Sequence, residues 1–246
     1  MSSGPERDRV ERTASGPGRR SLSRERIIEC AIEFIDTHGL AALTMRRLGK
    51  ELDFEAMSIY RHVNGREDLL EGIMDHVMAG LRLGPAHDEL RSADGWQAYL
   101  VWLAHSVRAV ALQHPNVFPL IATRHPATPW LRPPLRSLQV VEDFLATLIA
   151  KGFSDDRAVT AYRAFSSFLL GHLLLEASFL GAQTSPVEEP LDEGNSDVPN
   201  ADQKMDINDF PHVRRLEPQL SEDHASPEFE QALEDVLDRL DRLNAE

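Results

Sequence analysis

Two kinds of chemistry are open to the polar side chains of this 246-residue sequence. One is acid–base or metal chemistry, for which His105, His114, His125 and His172 stand with Glu142 and Glu176 as the available groups. None of them shows the i, i+4 pairing of an H-E-x-x-H helix, which places two imidazoles on one face around a metal ion. Nor is there a glycine-rich phosphate loop or a nucleophile elbow. Cys30 is the only cysteine, so no intrachain disulfide framework or thiolate cluster can form. Its place three residues after Ile27 and four before Phe34 suits a buried core thiol better than a reactive one. The expectation is a chain without catalytic residues, metal site or cofactor.

The other chemistry is contact with base-pair edges, and the stretch that offers it is L-T-M-R-R-L-G-K-E-L-D-F-E-A-M-S-I-Y-R-H-V, Leu43 to Val63. It reads as two short helices joined by a tight turn, the geometry of a helix-turn-helix, whose second helix lies in the major groove while the first braces it. Leu48, Leu52, Ile59 and Val63 face inward and hold the pair at a fixed angle. Ala56, Met57, Ser58 and Arg61 are left facing outward. Small residues at the start of the second helix permit close approach to base edges, and the free N–H groups there favour a nearby phosphate.

The elements that position this stretch follow from periodicity and caps. Behind a Ser23 N-cap, Ile27, Ile28, Ala31, Ile32, Phe34 and Ile35 repeat at helical spacing until Gly39 ends the helix. Thr44 caps a helix through Leu52, Asp53-Phe54-Glu55 turns the chain, and the second short helix runs from about Ala56 to His62. Asn64 and Glu67 are spaced as a capping box for a longer helix from near Arg66 to Leu81. Beyond Pro85 the helices lengthen. Trp96 to Val110 forms one, ending at His114-Pro115; Leu135 to Gly152 forms the next, after a stretch from Phe118 to Pro134 with five prolines. Ser154 caps a helix to about Phe179 that is apolar on most faces, and the last spans Pro227 to Leu243. No confident strand appears, and the class is all-α: an N-terminal helix-turn-helix domain plus a larger helical domain.

The formal charge is −14, yet Met1 to Leu70 carries 12 basic and 12 acidic side chains, so the whole excess lies beyond Leu70. It is densest in residues 181–227, where 11 acidic residues face Lys204, Arg214 and Arg215 among six prolines, a composition that reads as a flexible acidic loop. Residues 1–21 hold Gly, Ser and Pro with five arginines and no apolar periodicity, and read as a disordered arm: either a solvated tail or a phosphate-seeking extension. No apolar run reaches the ~18 to 20 residues of a membrane span, and the N-terminus is polar and arginine-rich without the apolar stretch of a signal peptide, so a cytoplasmic protein without a membrane partner is expected.

With these residues in view, Ser23 to Leu70 resembles the DNA-binding domain of the tetracycline-repressor (TetR) family of bacterial transcriptional regulators. The features that carry the resemblance are the first helix ending in H-G, the L-T-x-R-x-L start of the second, S-I-Y-R-H-V, and N-G-R-E-D-L-L at the entry to the fourth. Asp53 departs from the glycine that the family usually has in the turn. The resemblance implies that Arg46 reaches a base edge and that Ala56 and Met57 touch a thymine methyl. It implies further that Ser58 meets base or phosphate, while Thr44, Tyr60, His62 and Arg66 grip phosphates. Tyr60 is open to a half-core role, and Thr44 has a use as N-cap without DNA. A DNA-free interaction module or an activator is the competing reading, which Arg46→Ala with Tyr60→Ala would separate.

The family binds a near-palindromic double-stranded operator as a homodimer, and W-Q-A-Y-L, Gly152-Phe153-Ser154, Leu170-Gly171 and the last helix resemble the tetracycline repressors' ligand-binding domain. The helix from Ser154 with the last helix would form a four-helix bundle with a second copy; the alternative is that they only complete the monomer core. Leu103, Val107, Phe118, Ile121, Thr123, Trp130, Phe144 and Phe168, with Phe165, His105, Arg124 and His172 nearby, are candidates for an effector pocket. The tetracycline repressors hold the drug's magnesium with a histidine, and the matching position here is Ile121, so the resemblance implies a different, metal-free small-molecule effector. The expected domains are 22–68 for DNA and 69–246 for effector binding and dimerisation. The expected function is a repressor released by its effector, with the helix from Arg66 carrying the motion between them.

Overall fold

The computed structural model describes residues 21–79, 95–123, 127–182 and 207–245. The arm of residues 1–20, the end of the fourth helix at Leu81, Arg124, His125 and residues 183–206 of the acidic loop lie outside them. Among the described residues, regular structure is helical throughout.

Helix α1 (Arg24–His38) starts where the Ser23 hydroxyl accepts the Arg26 N–H at 3.2 Å and stops at Gly39, whose φ of 80° few other residues adopt. Helix α2 (Met45–Leu52) is capped by Thr44 in the same way, its hydroxyl accepting the Arg47 N–H at 3.2 Å. Asp53 then takes the left-handed conformation, φ 58° and ψ 40°, and turns the chain into α3 (Ala56–Ile59). Helix α4 (Arg66–Ala79) packs back on α1. Ile27, Ile35, Leu48, Ile59, Leu69 and Ile73 are fully enclosed between these helices, each worth ~1.5 to 3 kcal/mol of burial.

The remaining helices are α5 (Trp96–Gln113), α6 (Leu138–Ala150), α7 (Asp155–Phe179), α8 (Pro211–Leu220) and α9 (Ala225–Ala245). Helix α7 is central, packed on α5, α6 and α9, which is why apolar residues occupy most of its circumference. By length and hydropathy alone it could cross a membrane, but its apolar surface is spent largely on this core. A charged cluster pins α9 to it. Arg108 of α5 makes two hydrogen bonds to Glu176 of α7, at 2.6 and 3.0 Å, and lies 4.8 Å over the Phe229 ring of α9.

Four local expectations are corrected. The second helix of the helix-turn-helix closes at Ile59, because Arg61 and His62 bond three residues back, to Ser58 and Ile59, and tighten the chain into turns. The capping box uses Asp68 in place of Glu67: the Asn64 N–H donates to Asp68 Oδ2 at 2.6 Å, freeing Glu67 for a distant partner. Leu135 precedes α6, which begins after the Ser137 cap. Residues 181–227 are not loop throughout, since α8 and the first residues of α9 fall within them. Cys30 is half-buried, packed against the core edge.

Candidate DNA interface and effector cavity

The helix-turn-helix owes its compactness to Gly49. A Cβ at this position would stand 2.8 Å from the Phe54 carbonyl oxygen and 3.2 Å from the Ala56 nitrogen, so only glycine lets α2 and α3 meet here. The Phe54 N–H donates to the Gly49 carbonyl at 2.9 Å and closes the turn. On the outer side, Thr44, Arg46, Met57, Tyr60, Arg61 and Arg66 are exposed, while Ala56, Ser58 and His62 are half-exposed. Met57, at 72% exposed, and Tyr60, at 47%, are large side chains held in solvent. Thr44 serves its own helix as N-cap. The backbone of His62 is anchored, its carbonyl accepting Arg24 Nη1 at 3.1 Å.

Arg24 also fixes α4. Its guanidinium meets Asp68 at 2.5 and 2.9 Å, which together with the Asn64 N–H holds the Asp68 carboxyl below its ordinary range. The exit of the helix-turn-helix and the start of α4 thus form one bonded unit with α1.

Between α4, α5, α6 and α7 lies a narrow cavity of about 30 Å³, lined by Met78, Leu103, Val107, Ile121, Leu135, Val140, Phe144, Tyr162, Phe165, Ser166, Leu169 and Leu170. None of these side chains is charged, and Tyr162 and Ser166 are the polar members. The Tyr162 hydroxyl donates to the Pro133 carbonyl at 3.0 Å, and burial raises its pKa to about 12 against the opposing effect of a hydrogen bond with Ser166. Of the eight sequence candidates, Leu103, Val107, Ile121 and Phe144 line this cavity. Phe118 is enclosed in the core, Thr123 accepts Arg136 Nη1 at 3.4 Å, Phe168 stacks toward Phe229, and Trp130 is 71% exposed in a separate outer cleft. Also apart are His105, beside Glu230, and His172, against Phe229. Phe165, named beside the candidates, also lines the cavity; the rest of the α7 wall was missed although its signal was present, since Tyr162, Ser166, Leu169 and Leu170 recur with Phe165 at three and four residues on one face.

One link between the two regions had no sequence signal. Arg136, buried behind the cavity residues Leu135 and Ile121, pairs with Glu67 in the first turn of α4, and its own N–H donates to the Ile121 carbonyl at 3.1 Å. A second link joins α1 to the end of α5: His114 Nδ1 lies 2.6 Å from Asp36 Oδ2, and Asn116 donates to the Asp36 carbonyl at 2.9 Å.

Comparison with known proteins agrees with this geometry. Residues 27–73 match the family model described as bacterial regulatory proteins, tetR family, and residues 90–243 match that of the tetracyclin repressor-like C-terminal domain. An HTH-type transcriptional regulator of Saccharopolyspora erythraea is 30% identical over 156 residues, 63% of this chain and 61% of that protein. The HTH-type transcriptional repressor DrrR1 of Streptomyces coeruleorubidus is 26% identical over 243 residues, 97% of this chain and 84% of its own. A solved structure, a possible TetR family transcriptional regulator from Streptomyces coelicolor, superposes with a TM-score of 0.65 at 25% identity, covering 90% of this chain and all of that one. The chain belongs to the tetR family of bacterial regulatory proteins and is a DNA-binding transcriptional regulator.

Proposed function

We propose that the protein is a cytoplasmic repressor that holds a near-palindromic operator as a homodimer and lets go when a metal-free small molecule fills the apolar cavity. The observation that carries this reading is the double role of α4. Its first turn follows the DNA-facing turn and carries Glu67, paired with Arg136, while its far end supplies Met78 to the cavity wall. A ligand that moves the wall therefore moves the helix that carries Arg66 and whose first turn is bonded to the exit of the helix-turn-helix, and linkage makes the reciprocal effect on ligand affinity unavoidable. The chain works by binding, with residues 22–68 as the reading head and 69–246 for effector and partner.

In this reading Arg46, Ala56, Met57 and Ser58 address base edges, and Thr44, Tyr60, Arg61, His62 and Arg66 address phosphates. The second copy docks on α7 and α9. In support, Leu175 (67% exposed) and Phe179 (90%) project from α7 beside Gly171, a mid-helix glycine with open space where its Cβ would be. Such a glycine costs a helix ~1 kcal/mol and is useful where another backbone approaches. The absence of charge from the cavity wall, with Ile121 in it, suits an effector that brings no hydrated Mg²⁺.

Selection of bound duplexes from a random pool tests the whole reading. A two-fold symmetric consensus bound by a dimer in sedimentation is the expected result. No enrichment above the starting pool refutes it.

A further inference from the structure

Outside the cavity, between α6, α7 and the segment from Thr128 to Arg132, lies an open cleft of about 370 Å³. Tyr162 belongs to both walls: one face of its surroundings is the inner cavity, the other is this cleft. The cleft differs in chemistry from the cavity. It holds the exposed Trp130, two guanidinium groups (Arg132 and Arg163) against one carboxylate (Glu142), and Thr128, whose hydroxyl is buried without a hydrogen-bond partner.

We propose that the cleft and the cavity are the two ends of one binding site, and that its ligand is an amphiphile with an apolar body and one acidic head. The inference rests on the cavity being the effector site. The body displaces Tyr162 and widens the inner chamber, which has about 30 Å³ of free space without it. The head stays in the cleft under Trp130, where the Thr128 hydroxyl and the guanidinium of Arg163 or Arg132 meet it. Polarity dictates this direction. An acid inside the chamber would lie among uncharged side chains with only the hydroxyls of Tyr162 and Ser166, a prohibitive place for an unpaired charge. In the cleft it meets net positive charge, an aromatic face and an unused hydroxyl.

The test uses two fluorescent probes of nearly the same ring system, 1-anilinonaphthalene-8-sulfonate, which carries an acid, and N-phenyl-1-naphthylamine, which does not. Both are titrated into the full chain, with circular dichroism to verify folding. The acidic probe should bind one per chain, quench Trp130, and bind at least ~10-fold more tightly than the neutral one. The Arg132→Ala/Arg163→Ala variant should remove that advantage while leaving the neutral probe unaffected. Filling the chamber with Ser166→Leu, or with Val107→Phe if the first does not fold, should weaken both probes. If chamber filling abolishes binding but the arginine variant and the missing sulfonate change nothing, the spanning site is wrong and the effector cavity stands. If the arginine variant alone matters, the cleft is a separate surface site, and both this inference and the cavity reading fail. Unchanged binding in every variant likewise overturns both.

Discussion

Arg136 and Glu67 form an ion pair that joins the wall of the apolar cavity to the first turn of α4, one end nearly enclosed and the other half in solvent. Arg136 is the more committed partner. Its Nε is buried without a hydrogen bond, so the carboxylate of Glu67 and the Thr123 hydroxyl carry its compensation. Glu67→Gln should therefore destabilise the fold by about 1 to 2 kcal/mol, less than a fully buried pair because water screens the Glu67 end. Glu67→Gln, Arg136→Gln and the double variant, compared by chemical denaturation, should show a coupling of ~1 kcal/mol. Additive losses would mean that the pair transmits nothing between cavity and α4.

On the DNA face, Arg46→Ala should cost ~1 to 3 kcal/mol of operator binding and relax preference at one base position. Arg66→Ala should weaken all sequences alike and reduce the slope of log affinity against log salt by about 1. Both side chains are exposed, so thermal unfolding should not move. Gel-shift titrations at several salt concentrations separate the two; equal effects on specific and random DNA for Arg46→Ala would remove it from base reading.

Gly49→Ala adds one methyl group 2.8 Å from a backbone oxygen that cannot swing away. The turn must open, at a cost of about 1 to 3 kcal/mol, and α3 must shift relative to α2. Operator affinity should fall together with the melting temperature. A melting temperature within a degree of the parent would show that the turn adapts freely.

Two groups set opposite pH limits on the DNA-binding half. Hydrogen bonds from Arg24 and the Asn64 N–H lower the pKa of Asp68, so its stabilisation is complete above the unfolded value of ~4 and disappears as pH falls through the lower, folded one. Asp68→Asn should then destabilise at pH 7 and matter little near pH 2. Cys30 is the reverse case. Burial, with Glu51 and Glu33 adding to it, raises its pKa to about 11. The thiol is thus neutral at pH 8, and its alkylation should lag that of a free cysteine until the protein unfolds; equal rates would contradict the assignment.

The helix-turn-helix was legible because its signals are local. Ser23 and Thr44 cap their helices through one hydrogen bond each, and Asp53 accepts the left-handed backbone that the turn needs. Where two local signals competed, spacing was not enough. Glu67 and Asp68 were both near the register of a cap; Arg24 of α1 holds Asp68 beside the Asn64 N–H, and Arg136 draws Glu67 away from it. Helix α8 escaped notice for a different reason: every one of its residues is exposed, so no buried face imposes a periodicity, and Pro218 lies within it. In the cavity, aromatic residues looked interchangeable along the chain. Whether Phe144 faces the chamber, Phe118 the core or Trp130 the solvent depends on helix phase across a proline-rich segment that has no period to read.

Gly171 bears on a question of cellular company. Many regulators built on one fold can share a cytoplasm, and a mixed pair would read a hybrid operator that neither gene presents. A bare backbone at the middle of α7 leaves a shallow saddle. A second copy, equally bare there, can settle into it, whereas a cousin with leucine or phenylalanine at the same place would prop the helices apart and lose contacts along their whole length. In the dimer proposed above, one missing side chain would thus favour pairing of the protein with its own kind.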